Sequence, residues 1–351
     1  MRLSTLLAAC LLAFATNLLG QDLPDPFAHL PSNIELLVAF GERPDISPDN
    51  REIAFMGKSY GDAYVYNLET RRLRCLTGED PYASYLRVMH LSNGDYILIG
   101  SGRISLTRLS EGRGIYNKLW YLSRQPHAQP VDLGQLVFEG LAISKESLRI
   151  AYSVSHYQIP EMGEGNFKLY AAELSLEGGT PHIINRTLLK ESHYPPHMME
   201  AQDFYDHDRK LTYNIYRRTA DGIEISDVTS YDFATKESTD MSRSNCHMEA
   251  EGIFPDGQYT LVESDLPSKL RGLPASKQNG WPIDLFKLRL DGTGKDFTRL
   301  TYFSDIPGYH ANNPVVSTDG RFMAFSVGLS KQYGIMNGAG QGILLYWFGR
   351  K

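Results

Sequence analysis

Two stretches decide the fold, residues 42–55 (ERPDISPDNREIAF) and residues 312–325 (NNPVVSTDGRFMAF). Each reads as an apolar strand, a turn built on Pro48-Asp49 or Thr318-Asp319, and a second apolar strand. Aligned on the turn, the unit recurs at Ser47, Leu91, Ser144, Tyr205, Phe254 and Ser317, with spacings of 44, 53, 61, 49 and 63 residues. A second strand follows each turn, at 53–55, 96–99, 150–152, 211–213, 259–262 and 322–325. A third recurs at 63–68, 119–122, 167–174, 228–233, 285–290 and 343–348. Five copies have a fourth, clearest at 73–77 (LRCLT) and 297–301 (FTRLT).

The sixth copy runs out of chain after Phe348, which leaves a sheet edge exposed. Residues 34–40 (IELLVAF) precede the first copy and can supply the missing strand. The expected fold is therefore all-β: a six-bladed β-propeller with four antiparallel strands per blade, closed by an N-terminal strand that completes the last blade. The repeat text SPDNREIAF (47–55), YNLETRRLRCLT (66–77) and STDGRFMAF (317–325) resembles the TolB-type, WD40-like repeat of secreted propellers. The likeness spans essentially all of residues 32–351 and is strongest in the first and last blades. Nothing corresponds to the additional N-terminal domain of TolB, so the resemblance implies the propeller and does not carry over the cell-envelope role.

Residues 1–20 read as a secretory signal: Arg2, an uncharged apolar run over 3–19 and the small Gly20. Residues 21–31 form a lead segment, and 32–351 the propeller. The protein is then secreted or periplasmic, and no later stretch is long and apolar enough to span a membrane. The net charge of −6 argues against a nucleic-acid binder, which needs a clustered basic face. Cys75 and Cys246 lie far apart in the blade map and are expected to be free, buried thiols.

In a propeller, the entry to each first strand and the loop between second and third strands emerge on one face. Here those loops are long, at 101–116, 156–166, 217–222, 265–282 and 328–342. Five residues before each turn stand Glu42, Leu86, Glu139, Glu200, Glu249 and Asn312, an expected acidic ring at the channel mouth. Arg43, Arg87, Glu251 and Asn313 neighbour it; His247 and His310 lie seven residues before their turns and His197 eight. Carboxylates crowded at a narrow channel need a cation, a proton or a basic ligand group. Glu200, Glu249, His247 and His310 are the candidate metal ligands. Oxygen donors suit Ca²⁺ or Mg²⁺, and the histidines shift the choice toward Mn²⁺ or Zn²⁺; the alternative is that Arg43 and Arg87 pair with the glutamates and no ion is held.

Trp281, in the long loop of the fifth blade, is a platform candidate for a carbohydrate. Residues 57–61 (GKSYG) fit the GxSxG nucleophile pattern, but a strand follows where that motif needs a helix, so they read as a hairpin loop. The glycine-rich 338–342 (GAGQG) fails as a phosphate loop for the same reason. The leading expectation is an extracytoplasmic binding or scaffold module for a carbohydrate or protein ligand on the loop-rich face. Two rivals stand beside it. Histidines at blade entries are similar to those of oligogalacturonate lyases, which suggests a metal-assisted polysaccharide lyase or hydrolase. The repeat itself suggests a TolB-like protein-interaction platform.

Overall fold

The turns that flagged the repeat are locked by their own side chains. Ser47 Oγ donates to Asp49 Oδ1 at 2.7 Å and accepts the Glu52 N–H at 2.9 Å. Ser317 does the same with Asp319 at 2.8 Å and with the Phe322 N–H at 3.1 Å. Asn50 and Gly320 occupy the left-handed position of their turns at φ 60° and 69°, where asparagine and glycine are tolerated best. The Leu-Thr ending of the fourth strands has a similar local cause. Thr77 Oγ1 donates to Asp62 and accepts the Ala63 N–H, and Thr301 Oγ1 repeats this with Asp284 and the Leu285 N–H.

The computed structural model describes residues 23–80, 84–102, 114–193, 198–220, 222–272, 282–329 and 340–350. Twenty-four strands form six four-stranded antiparallel sheets. Blade I is β2 (Glu42–Ile46), β3 (Glu52–Met56), β4 (Ala63–Asn67) and β5 (Arg72–Cys75). Blade II is β6 (Tyr85–His90), β7 (Tyr96–Gly100), β8 (Lys118–Leu122) and β9 (Val131–Leu136). Blade III is β10 (Leu141–Ile143), β11 (Arg149–Ser155), β12 (Asn166–Ser175) and β13 (His182–His193). Blade IV is β14 (Met198–Tyr205), β15 (Lys210–Arg218), β16 (Glu224–Asp232) and β17 (Ser238–Asp240). Blade V is β18 (Met248–Ile253), β19 (Tyr259–Ser264), β20 (Asp284–Arg289) and β21 (Phe297–Arg299). Blade VI is β22 (Tyr309–Val316), β23 (Phe322–Leu329), β24 (Gly340–Trp347) and, on its outer edge, β1 (Ile34–Val38).

The ring closes through β1, which pairs antiparallel with β24 from Ile34↔Tyr346 to Val38↔Ile343. At the turn face, Asn50 Oδ1 of blade I accepts the Thr318 N–H of blade VI at 2.8 Å. Leu23, Phe27 and Leu30 of the lead segment pack on the blade V–VI core. Six hydrophobic clusters fill the six interfaces between neighbouring blades, so the core is a ring of wedges around the channel. Between blades I and VI, for example, Phe55 and Ile53 meet Ala324, Ile343 and Leu345.

Two expectations change in detail, and a third, the hairpin loop at 57–61, holds. The 217–222 loop is a tight hairpin, because β15 runs to Arg218 and β16 resumes at Glu224 with the Thr219 N–H bonded to Ile223 O at 2.8 Å. Both cysteines are free, but Cys75 is exposed because it sits on the outer strand β5; Cys246 is buried. Residues 57–61 are the β3–β4 hairpin loop, where Ser59 Oγ donates to Glu42 Oε1 at 2.6 Å. No helix among the described residues is long and apolar enough to cross a membrane. The signal segment 1–20 and Gly338-Ala339 lie outside the described residues.

Candidate functional site at the loop-face mouth of the channel

The residues 247–251 (HMEAE) alternate with the strand period. Met248 and Ala250 point into the blade IV–V core, which leaves His247, Glu249 and Glu251 on the other face. In the β18/β19 ladder Glu249 stands directly opposite Glu263. Two like charges directly across a strand pair destabilise a sheet unless something neutralises them. His247 completes the group: one donor atom from each of His247, Glu249 and Glu263 lies within 4.8 Å of the others.

His247 is oriented by Ser226. The Ser226 hydroxyl donates to Met248 O and accepts the Met248 N–H, both at 3.0 Å, and lies 2.9 Å from His247 Nδ1. With its single hydrogen committed, Ser226 accepts from Nδ1–H, and that tautomer leaves a lone pair on Nε2. Nε2 sits 3.3 Å from Glu249 Oε2. Such an approach calls for a proton shared by the two groups or a metal ion between them.

The carboxyls respond to this crowding. Burial pushes Glu249 up, but His247, Tyr216 and Arg87 outweigh it and hold the group below its ordinary value. Burial raises Glu263 well above the carboxylate range; Glu251 and Glu249 add to the rise, and the Asn313 N–H opposes it. That N–H reaches Glu263 Oε1 at 2.5 Å across the blade V–VI boundary. Burial also raises Glu251 to about 7, against the pull of Arg87. Tyr216, its hydroxyl driven far up by burial and by Glu200 and Glu249, donates to Glu200 Oε2 at 3.0 Å. Glu200 thus joins the site through Tyr216.

The other expected site residues divide between mouth and throat. Every inner strand except β10 carries a bulge at or just after the five-back position, at Glu42/Asp45, Tyr85/Arg87, Ala201/Asp203, Ala250/Gly252 and Asn312/Val315. A bulge re-aims the side chains that follow it. The throat is accordingly lined by Arg43, Arg87, Gln202, Glu251 and Asn313, together with Asp45, Lys145 and Asp203, around about 30 Å³ of free space. Arg43 and Asn313 meet the bulge with left-handed backbone, φ 54° and 48°. Arg87 of blade II faces Glu251 of blade V at 3.9 Å, a contact that spans the channel.

Glu42 turns to Ser59, Leu86 is buried apolar, and Glu139 is half-buried beside Phe138. Gly140 lets blade III approach blade IV here: a Cβ would come 2.5 Å from Ala201 O and 2.9 Å from Glu200 Cβ. His310 lies apart from the His247 group. Its Nε2 is 3.3 Å from Asn312 Nδ2, and burial pushes its imidazole down to about 4, so it is neutral. Trp281 and His197 lie outside the described residues. Glu263 was not singled out from sequence, though pairing 249 with 263 across the 254–258 turn is the register that a hairpin imposes.

No family model matches the chain, and no curated protein matches it by sequence. Solved structures match it in fold. A putative TolB from Agrobacterium tumefaciens superposes with a TM-score of 0.50 at 14% identity, over 82% of this chain and 98% of that one. TolB from Acinetobacter baumannii gives 0.41 at 13% identity, over 83% and 65%. Oligogalacturonate lyase from Vibrio parahaemolyticus gives 0.44 at 11%, over 90% and 91%. In fold, this chain is a six-bladed propeller similar to that of the putative TolB.

Proposed function

We propose that the protein is an extracytoplasmic propeller module that holds a divalent metal ion at the loop-face mouth and presents it to a carbohydrate or protein ligand. One observation carries the reading: two carboxylates paired across β18 and β19, with His247 Nε2 3.3 Å from one of them and a donor atom of each of the three within 4.8 Å of the others. The donor set fits a metal. One imidazole and two carboxylates favour Mn²⁺ or Zn²⁺ over Ca²⁺, which takes six to eight oxygens. When bound, the ion supplies a positive charge beside Glu263, whose carboxyl burial otherwise pushes up. Ser226 holds the imidazole tautomer, and Tyr216 ties the Glu200 carboxylate to the same cluster. The leader-like character of residues 1–20 supports placement outside the cytoplasm.

The test is metal content and affinity. Protein stripped with a chelator and reloaded should take up one Mn²⁺ or Zn²⁺ and melt at higher temperature, and Glu249→Gln with Glu263→Gln should abolish both effects. Unchanged uptake in that double variant would end the proposal. A second reading, a metal-assisted lyase or hydrolase on a polysaccharide, is favoured by Glu251: raised to about 7 and facing Arg87, it suits proton transfer near neutral pH. New unsaturated or reducing ends from acidic polysaccharides would be its product. Their absence across such substrates leaves the binding role.

A further inference from the structure

The throat joins the two ends of the channel, and its side chains do not close on one another. They leave about 30 Å³ of free space. A buried water needs roughly 10–15 Å³, so the space admits one compact ion and excludes a sugar ring. Two of the groups that border it lack a hydrogen bond. Arg87 Nε is buried without a partner, and the nearest carboxylate oxygen, on Glu251, stands 3.9 Å from Nη1, beyond hydrogen-bond length. Gln202, at the bulge Ala201/Asp203 with no register partner on β15, is only 7% exposed, and its amide meets no hydrogen-bond partner among the described residues.

The missing partner is an acceptor. Three bases, Arg43, Arg87 and Lys145, and three acids, Asp45, Asp203 and Glu251, line the throat, so the formal charges cancel. Their hydrogen bonds do not. Asp45 Oδ2 receives both the N–H and the ring of His90, and its Oδ1 lies 4.0 Å from Lys145. Asp203 accepts the Ile253 and Phe204 N–H groups and shares the Lys145 ammonium. Glu251 is engaged by the Asn313 side chain. The acids are thus supplied by backbone, histidine, lysine and asparagine, while the guanidinium of Arg87 and the amide of Gln202 are left without an acceptor among the described residues. Burying charged donors unbonded is costly, and an acceptor between them would relieve it.

We propose that the throat holds one compact monovalent anion, bonded by the Arg87 guanidinium and the Gln202 amide and bridging blades II and IV. Hydrogen bonds between a guanidinium and an anion are about twice as strong as neutral ones, which favours an anion over a water molecule at this position. Single charge follows from the neighbours, because Asp203 and Glu251 border the same space and would repel a dianion. Compact size follows from the volume. Chloride and a formate-sized carboxylate share this chemistry. Glu249 and Glu263 do not line the throat, so the site stands apart from the metal group at the mouth.

The experiment is thermal unfolding of the full, metal-stripped chain at neutral pH in sodium chloride, sodium formate or sodium gluconate at matched ionic strength, gluconate being too large for the throat. Chloride or formate should raise Tm by roughly 3 °C or more over gluconate and should do so increasingly with concentration, as for any ligand of the native state. The larger shift identifies the source, a halide from the medium or a carboxylate group. Arg87→Lys should weaken the anion affinity by about tenfold, because an ammonium lacks the paired donors of the guanidinium. Gln202→Glu is the converse: it sets a carboxylate beside Arg87, so it should raise Tm in gluconate and abolish the anion response. A folding defect would lower Tm in all three salts and cannot imitate that pattern. The response should persist in Glu249→Gln/Glu263→Gln, which separates this site from the metal proposal. Equal Tm in the three salts, a response undiminished in either throat variant, or a response lost with Glu249 and Glu263 would overturn the proposal and leave the throat to water.

Discussion

The two ends of one channel carry acid in two different ways. At the loop face, Glu249, Glu263 and His247 bring donors within 4.8 Å, with protons, Tyr216 and Arg87 holding down the repulsion. At the turn face the carboxylates stand on separate turns around about 650 Å³. Arg87–Glu251 and Lys145 fill the throat between them. Spacing is what distinguishes the ends: packed donors concentrate negative charge at one point, and scattered ones spread it into a diffuse field. The propeller makes both possible, because strand pairing forces side chains together at the mouth while diverging blades hold the turns apart.

The largest expected effect is on metal affinity. Glu249→Gln with Glu263→Gln should lower Mn²⁺ or Zn²⁺ affinity by about a hundredfold or more, since two of three protein ligands lose their charge. If chelator-buffered titrations give the same affinity as wild type, the mouth is no different in kind from the opposite face.

Next come two stability effects of opposite sign. His310 is depressed to about 4, so the fully neutral state that stabilises the fold is present above pH 6.5 and is lost as pH falls toward 4. His310→Gln should remove up to about 3 kcal/mol of that acid-side loss. Asp203 is raised to about 6, so its favourable state is present below the unfolded value near 3.8 and is lost as pH rises through 6. Asp203→Asn should therefore stabilise the protein at pH 7 by up to about 3 kcal/mol and do little at pH 4. Urea denaturation of both variants at the two pH values checks this; equal shifts at both values would refute the assignment.

Smaller again is Ser226→Ala, which frees the imidazole to turn and should cost about tenfold in metal affinity with little change in fold, as for other ligand-orienting partners. Smallest is Glu263→Gln alone without metal. Burial and the neighbouring Glu251 and Glu249 push the Glu263 carboxyl toward its neutral form, which an amide mimics, so the substitution should shift stability by less than about 1 kcal/mol. A loss of several kcal/mol would mean that Glu263 is ionised, and the contrast between the two ends would narrow.

Much of the fold was legible because its signals are local. Ser47-Pro48-Asp49-Asn50 and Ser317-Thr318-Asp319-Gly320 form the same hydrogen-bonded turn, and Leu76-Thr77 and Leu300-Thr301 fasten the outer strand to an aspartate. The apolar segment at 34–40 found its place as β1 because blade VI had a vacant edge. The site was legible only in part. Counting back from the turns reached Glu249, His247 and Glu200 and, as their neighbours, Arg43, Arg87, Glu251 and Asn313; it did not show that the bulges aim those neighbours, with Gln202, into the throat. Bulges depend on how a strand curves against its neighbours, and no residue type announces them.

By itself, then, the sequence determined the number of blades, the closure and the acidic character of the channel, since turn chemistry and strand alternation act over a few residues. The tertiary structure alone decided which acids meet. It set Glu263 against Glu249 through register, spanned the ring with Arg87 and Glu251, and shared Lys145 between Asp45 and Asp203. Those choices join residues from different blades, and electrostatic energy depends on distances that only the closed ring fixes.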